Sequence, residues 1–124
     1  MKKVIHTNNA PAAIGPYSQA IEANGMLFIS GQIPVNPADG TVPEGITAQT
    51  EQVMKNIAAI LDEAGYTFDN VVKTTCLLSD IANFAAMNEV YAEFFEEPYP
   101  ARSAFAVKSV PKGALVEIEC IAEK

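Results

Sequence analysis

Hydrophobic and polar positions change their period several times along this chain, and each change marks a predicted element. Two short strands open it, in "KKVIHT" and "YSQAIEA", and Asn24–Gly25 forms the turn into a longer strand, "MLFISGQIP". A Pro/Gly-rich stretch follows, residues 34 to 45, short enough to be an ordered surface connection. Val53, Ile57, Ile60/Leu61 and Ala64 then recur at helical spacing, with Thr47 placed as N-cap and Gly65 placed to end the helix. "VVKTTCLL", residues 71 to 78, is rich in β-branched residues and predicts a largely buried strand. Ser79 or Asp80 caps a second helix with a stripe of Phe84, Met87, Val90/Tyr91 and Phe94, and Pro98 forbids its continuation. Two strands close the chain, Arg102–Val110 and, after "PKG", Leu115–Ala122.

The order is ββ followed by βαβαββ, which predicts an α+β fold: a sheet with two helices. Right-handed crossovers place both helices on one face. In the last strand Val116, Ile118, Cys120 and Ala122 alternate with Leu115, Glu117, Glu119 and Ile121. In the strand before it, Phe105 and Val107 alternate with Arg102, Ala104, Ala106 and Lys108. Giving the helices the more apolar set leaves Arg102 and Glu119 together on the second face. That face is mixed, part apolar and part charged, and suits either solvent or a subunit interface with polar pockets.

At 124 residues and 49% apolar the chain is expected to form one domain, residues 1–124, with its own core. No internal repeat is visible. Fifteen acidic residues stand against eight basic ones, with no basic cluster, which argues against nucleic acid and anionic membranes as partners. No apolar stretch of signal-peptide or membrane-span length follows the opening "MKK", so a cytoplasmic location is expected. Cys76 and Cys120 each lie in an apolar run without a CxxC partner, and His6 is the only histidine. Buried reduced thiols are expected rather than a metal centre, and no nucleophile–histidine machine is suggested.

One basic residue is unlike the others. Arg102, in "EEPYPARSAF", is the only arginine among eight basic residues and opens a strand just after two prolines. "PARSAFAV" and, seventeen residues beyond the arginine, the second glutamate of "VEIE" resemble the signature of the RidA (YjgF) family. "APAAIGPYSQAI", "FISGQIP", "QTEQVMKNI", "DNVVKTTCLLSDI" and "FAAMNEVYAEFF" match further blocks of that family in order and spacing, from about Asn9 to Glu119.

The resemblance implies a chorismate-mutase-like, six-stranded mixed sheet whose last strand inserts between earlier ones. It also implies a homotrimer with three ligand clefts between subunits. The implied activity is hydrolysis of reactive enamine/imine intermediates (2-aminoacrylate/2-iminopropanoate, 2-iminobutanoate) to 2-keto acids and ammonia, protecting pyridoxal-phosphate enzymes. It implies no metal and no organic cofactor. Carried onto this chain, Arg102 binds the substrate carboxylate, for which a guanidinium fork is suited. Glu119 activates water and moves the proton; by pattern alone Glu117 has equal claim, and the family motif selects Glu119. Tyr17, Ser30, Gly31, Phe84 and Asn88 are implied cleft residues. Many family members have cysteine where this chain has Ala104, leaving only a backbone N–H donor there. Two other readings stand beside the enzyme: a non-catalytic binder of 2-keto acids or similar small carboxylates, and a chaperone-like regulatory trimer.

Overall fold

A computed structural model describes residues 1–124. Its strands are β1 (Lys3–Ile5), β2 (Ala20–Ala23), β3 (Met26–Gln32), β4 (Val71–Leu78), β5 (Ala101–Ala106) and β6 (Val116–Glu123); its helices are α1 (Ile46–Ala64) and α2 (Phe84–Ala92). The six strands form one mixed sheet in the order β1-β2-β3-β6-β4-β5. Only β4 and β5 run parallel. The last strand lies between β3 and β4, as the family resemblance implies.

Each element traces to local chemistry. α1 buries Val53, Met54, Ile57, Ile60 and Leu61, and ends at Gly65, whose φ of 81° is the left-handed turn that glycine accepts without strain. The following amide, Tyr66 N–H, donates to Leu61 O at 2.9 Å and closes the helix end. The helix starts earlier than the expected Thr47 cap. Gly45 takes the cap position, and its carbonyl accepts from Gln49 N–H at 3.0 Å. Gln49 also holds the entry to the helix: its amide donates to Pro43 O and its carbonyl accepts from Leu115 N–H at 2.7 Å.

α2 is shorter than its apolar stripe suggests. Asp80 caps a single 3₁₀ turn, Ile81–Asn83, through Ala82 N–H, and the helix proper begins at Phe84. At its other end Glu93 and Phe94 donate to carbonyls three residues back, which tightens the last turn. Phe94 and Phe95 then pack their rings on Phe68, with centroids 5.6 and 5.3 Å apart. No helix is long and apolar enough to cross a membrane.

Both helices cover one face of the sheet. Leu27, Ile29, Cys76, Leu78, Val116, Ile118, Cys120 and Ala122 bury against α1 and α2. The opposite face has no layer over it: Val4, Phe28 and Phe105 remain 61%, 45% and 48% exposed. Phe105 corrects the expected strand parity. β5 pairs with β4 so that Thr74 stands beside Arg102 and Leu77 beside Phe105, and Thr74 is buried under α2. Arg102 and Ala104 therefore point toward the helices, and Phe105 toward the open face. The more apolar side of β5 faces outward because α2 offers aromatic rings and an amide to a guanidinium at this edge of the sheet.

Two candidate half-sites on opposite faces of the sheet

The first group of predicted residues gathers on the helix side of β5. Arg102 Nη1 donates to Asn88 Oδ1 at 2.6 Å. Its Cζ lies 5.4 Å from the centroid of Phe84 and 4.8 Å from that of Tyr91, both within cation–π range. A neutral amide and two ring faces orient the cation without neutralising it. A small open cleft of about 320 Å³ runs alongside, lined by Asn88, Tyr91, Ala92, Tyr99, Pro100 and Arg102. Asn88 takes one N–H of the guanidinium and leaves the others available. Ala104 lies directly across from Cys76 and packs against the core. Burial pushes the Cys76 thiol up to about 11, an effect that the charge of Arg102 partly offsets. Burial, and then the charge of Glu119, push Cys120 to about 12. Both thiols are held protonated.

The second group gathers on the open face, where β3 carries a bulge. Ile29 pairs with Cys120 but Gln32 with Ile118, so β3 spends one residue more than β6 over this span. Ser30 and Gly31 are the bulged residues, and Glu119 is the residue of β6 opposite them. Ser30 ties the bulge to the loop bearing Tyr17: its N–H donates to Gln19 O at 2.9 Å and its hydroxyl to Ser18 O at 2.6 Å. Tyr17 is 52% exposed, and its hydroxyl accepts from Ile14 N–H at 3.3 Å. Tyr17, Gly31 and Gln32 line a cavity of about 480 Å³ between the loop around Thr7–Tyr17 and the loop around Val35–Gly40.

The space that Gly31 leaves open is used by Glu117. A Cβ at Gly31 would overlap the Glu117 carboxylate. Burial, and secondly the charge of Glu119, raise the Glu117 carboxyl above its ordinary value. Glu119 itself is exposed. The two glutamates, equivalent in the sequence pattern, are thus distinguished by surroundings: one pressed into a bulge, the other open to solvent.

Arg102 and Glu119 do not share a face. Arg102 stands beside Thr74, which pairs with Cys120, whereas Glu119 pairs with Thr75. One chain therefore presents two candidate clusters on opposite faces: Arg102 with Phe84, Asn88 and Ala104, and Glu119 opposite the Ser30–Gly31 bulge, to which the loop bearing Tyr17 is tied. Tyr91, Thr74 and Tyr99 are near the arginine although the sequence pattern marks Tyr91 only as core. The available signal was spacing: Phe84, Asn88 and Tyr91 are four and three residues apart, and so share a helix face.

The family model described as Endoribonuclease L-PSP matches residues 7–124. A mouse protein named 2-iminobutanoate/2-iminopropanoate deaminase is 48% identical over 123 residues, which cover 98% of this chain and 91% of that protein. Among solved structures, a Rid family protein of Yersinia pestis superposes with a TM-score of 0.97 at 54% identity, covering all of both chains. TdcF of E. coli, solved with bound serine, superposes with a TM-score of 0.95 at 42% identity over 98% of each chain. Similarity of this extent in both sequence and fold means that the chain belongs to the Endoribonuclease L-PSP family, the RidA (YjgF) family whose motifs surround Arg102 and Glu119.

Proposed function

We propose that this protein hydrolyses reactive 2-imino acids, the tautomers of 2-aminoacrylate and its homologue, to 2-keto acids and ammonia. The observation that carries the reading is the Arg102 head, held by a neutral amide and two rings beside a small cleft, with its charge unneutralised. The name of the mouse relative supports the same substrate class.

The chemistry needs two ends. At one end Arg102 receives the substrate carboxylate through parallel charged hydrogen bonds, which fixes the plane of the adjoining C=N group. At the other end Glu119 accepts a proton as water adds to the imine carbon, forming a C–O bond and a tetrahedral carbinolamine. Glu119 returns that proton to the nitrogen and then relays the hydroxyl proton to it as well, so the C–N bond breaks, ammonia leaves with both protons of the water, and the carbinolamine hydroxyl becomes the keto oxygen. Tyr17 closes the cleft, and Ser30, Gly31 and the Ala104 N–H complete its polar lining.

The two half-sites lie on opposite faces of one sheet, so one copy must lend its acidic half to the cationic half of another. We place them together in a homotrimer whose open sheet faces turn inward, covering Phe28 and Phe105. Light scattering is expected to give three times the 13.3 kDa chain mass. In this reading each chain acts as one domain, in the cytoplasm, scavenging intermediates released by pyridoxal-phosphate enzymes. The net charge of −7 opposes binding of nucleic acid, a polyanion.

The deciding experiment mixes a threonine dehydratase, threonine and this protein, with semicarbazide competing for the imine. The protein is expected to divert imine to free 2-ketobutanoate; an unchanged semicarbazone yield would exclude hydrolysis. Two observations favour a second reading, a small-carboxylate binder: the cationic half-site needs no glutamate, and E. coli TdcF was solved with serine bound. Binding of 2-ketobutanoate without turnover would support that alternative.

A further inference from the structure

One face of α2 presents three side chains to the arginine, and they are not equally anchored. Asn88 holds a single N–H, and Phe84 is the more distant ring. Tyr91 is the nearer ring, is only 6% exposed, and lies 4.7 Å from the ring of Phe95. Its hydroxyl is 2.8 Å from Thr74 Oγ1, in a buried hydrogen bond. Thr74 is the residue of β4 that pairs directly with Arg102. A single bond thus locks the ring to the strand position beside the backbone of the residue it supports.

We infer that Tyr91 is the positioning residue for Arg102: its ring face, fixed by the hydroxyl bond to Thr74, sets the plane in which the guanidinium offers its fork. A long side chain rotates about several bonds, and a fork presented in many planes binds a planar carboxylate poorly. A buried ring with an immobile hydroxyl removes that freedom before substrate arrives. Burial also raises the Tyr91 hydroxyl above its ordinary value, which keeps it protonated. This inference rests on the carboxylate-clamp reading of Arg102 and names what holds the clamp.

The test measures kcat and KM for 2-iminobutanoate, and Kd for 2-ketobutanoate by calorimetry, on Thr74→Val, Tyr91→Phe, their double variant, Tyr91→Leu and Arg102→Ala. Each of the first two should raise KM and Kd about threefold to tenfold, the factor carried by a neutral hydrogen bond, with a smaller change in kcat per folded site. The double variant should be no worse than either single, because both delete the same bond. Tyr91→Leu, which removes the ring face, should weaken binding by a further factor of about three to thirty. A merely structural role would lower the folded fraction and leave KM and Kd of the folded protein unchanged. Unchanged KM and Kd in Thr74→Val and Tyr91→Phe overturn the inference even where Tyr91→Leu does not fold. Arg102→Ala separates the two levels. If it binds 2-ketobutanoate like the wild type, the clamp itself fails; if it loses binding while the Thr74 and Tyr91 variants do not, only the positioning fails.

Discussion

Arg102→Ala is the substitution that bears most directly on the site. The side chain is half-buried on an edge strand, and its one hydrogen-bond partner, Asn88, is reachable by water once the guanidinium is gone. The fold and assembly should therefore survive the change. Binding should not. Two charged hydrogen bonds to the substrate carboxylate contribute on the order of 1.5–3 kcal/mol each. Their sum, about 3–6 kcal/mol, corresponds to a loss of roughly two to four orders of magnitude in kcat/KM. The field of the rest of the molecule adds to this, because a net charge of −7 repels an anionic substrate once its local cation is removed. Arg102→Lys should lose less, roughly tenfold to a hundredfold, since the charge remains while the planar fork and its fit to the Tyr91 face are gone. Single-turnover kinetics with 2-iminobutanoate generated in place would measure both variants, with light scattering and thermal melting as controls for assembly and fold. An Arg102→Ala protein that assembles normally and hydrolyses at near the wild-type rate would refute the clamp and make this arginine structural.

Three further outcomes follow from the acidic half-site. Glu119→Gln should keep 2-ketobutanoate affinity but slow turnover by roughly a hundredfold or more, as loss of a general base does; full activity would move the role to Glu117, Tyr17 or solvent. Burial and the charge of Glu119 disfavour ionised Glu117, so its folded pKa lies above its unfolded one and stability is lost as pH rises through it. Glu117→Gln should accordingly raise Tm at neutral pH, with the gain fading below the ordinary glutamate range; a gain independent of pH would contradict that origin. Gly31→Ala should cost about 1–3 kcal/mol in chemical denaturation by overpacking against Glu117, and adding Glu117→Ala should recover much of it. No recovery would place the strain elsewhere.

Much of the architecture is readable from periodicity alone. The spacing from Val53 to Leu61 and the glycine at 65 define α1, and the alternation of Val116, Ile118, Cys120 and Ala122 identifies the buried side of β6. The site is less legible, for physical reasons that differ by residue. Arg102 misleads because its polarity suggests the outer face, whereas two aromatic rings and an amide make the helix side hospitable to a guanidinium. The same substitution of environments leaves Phe105 exposed on the open face. The Tyr91–Thr74 bond joins a helix to a parallel strand pair, and no local pattern announces a contact of that kind. Glu117 and Glu119 are interchangeable in sequence; a one-residue bulge at Ser30–Gly31 separates them.

The place of β6 in the sheet also sets an order of events during synthesis. β6 is the sixth strand in chain order, yet it is the seam joining the β1-β2-β3 sheet to the β4-β5 pair. Before β6 leaves the ribosome, the edges of β3 and β4 that it covers in the finished sheet have no partner. Those edges are rich in apolar side chains and unpaired backbone, the combination that recruits other chains. The sheet therefore cannot close until β6 docks. Any mutation that slows the arrival or docking of Val116–Glu123 should appear first as aggregation during expression, before it registers as lost stability in the finished protein.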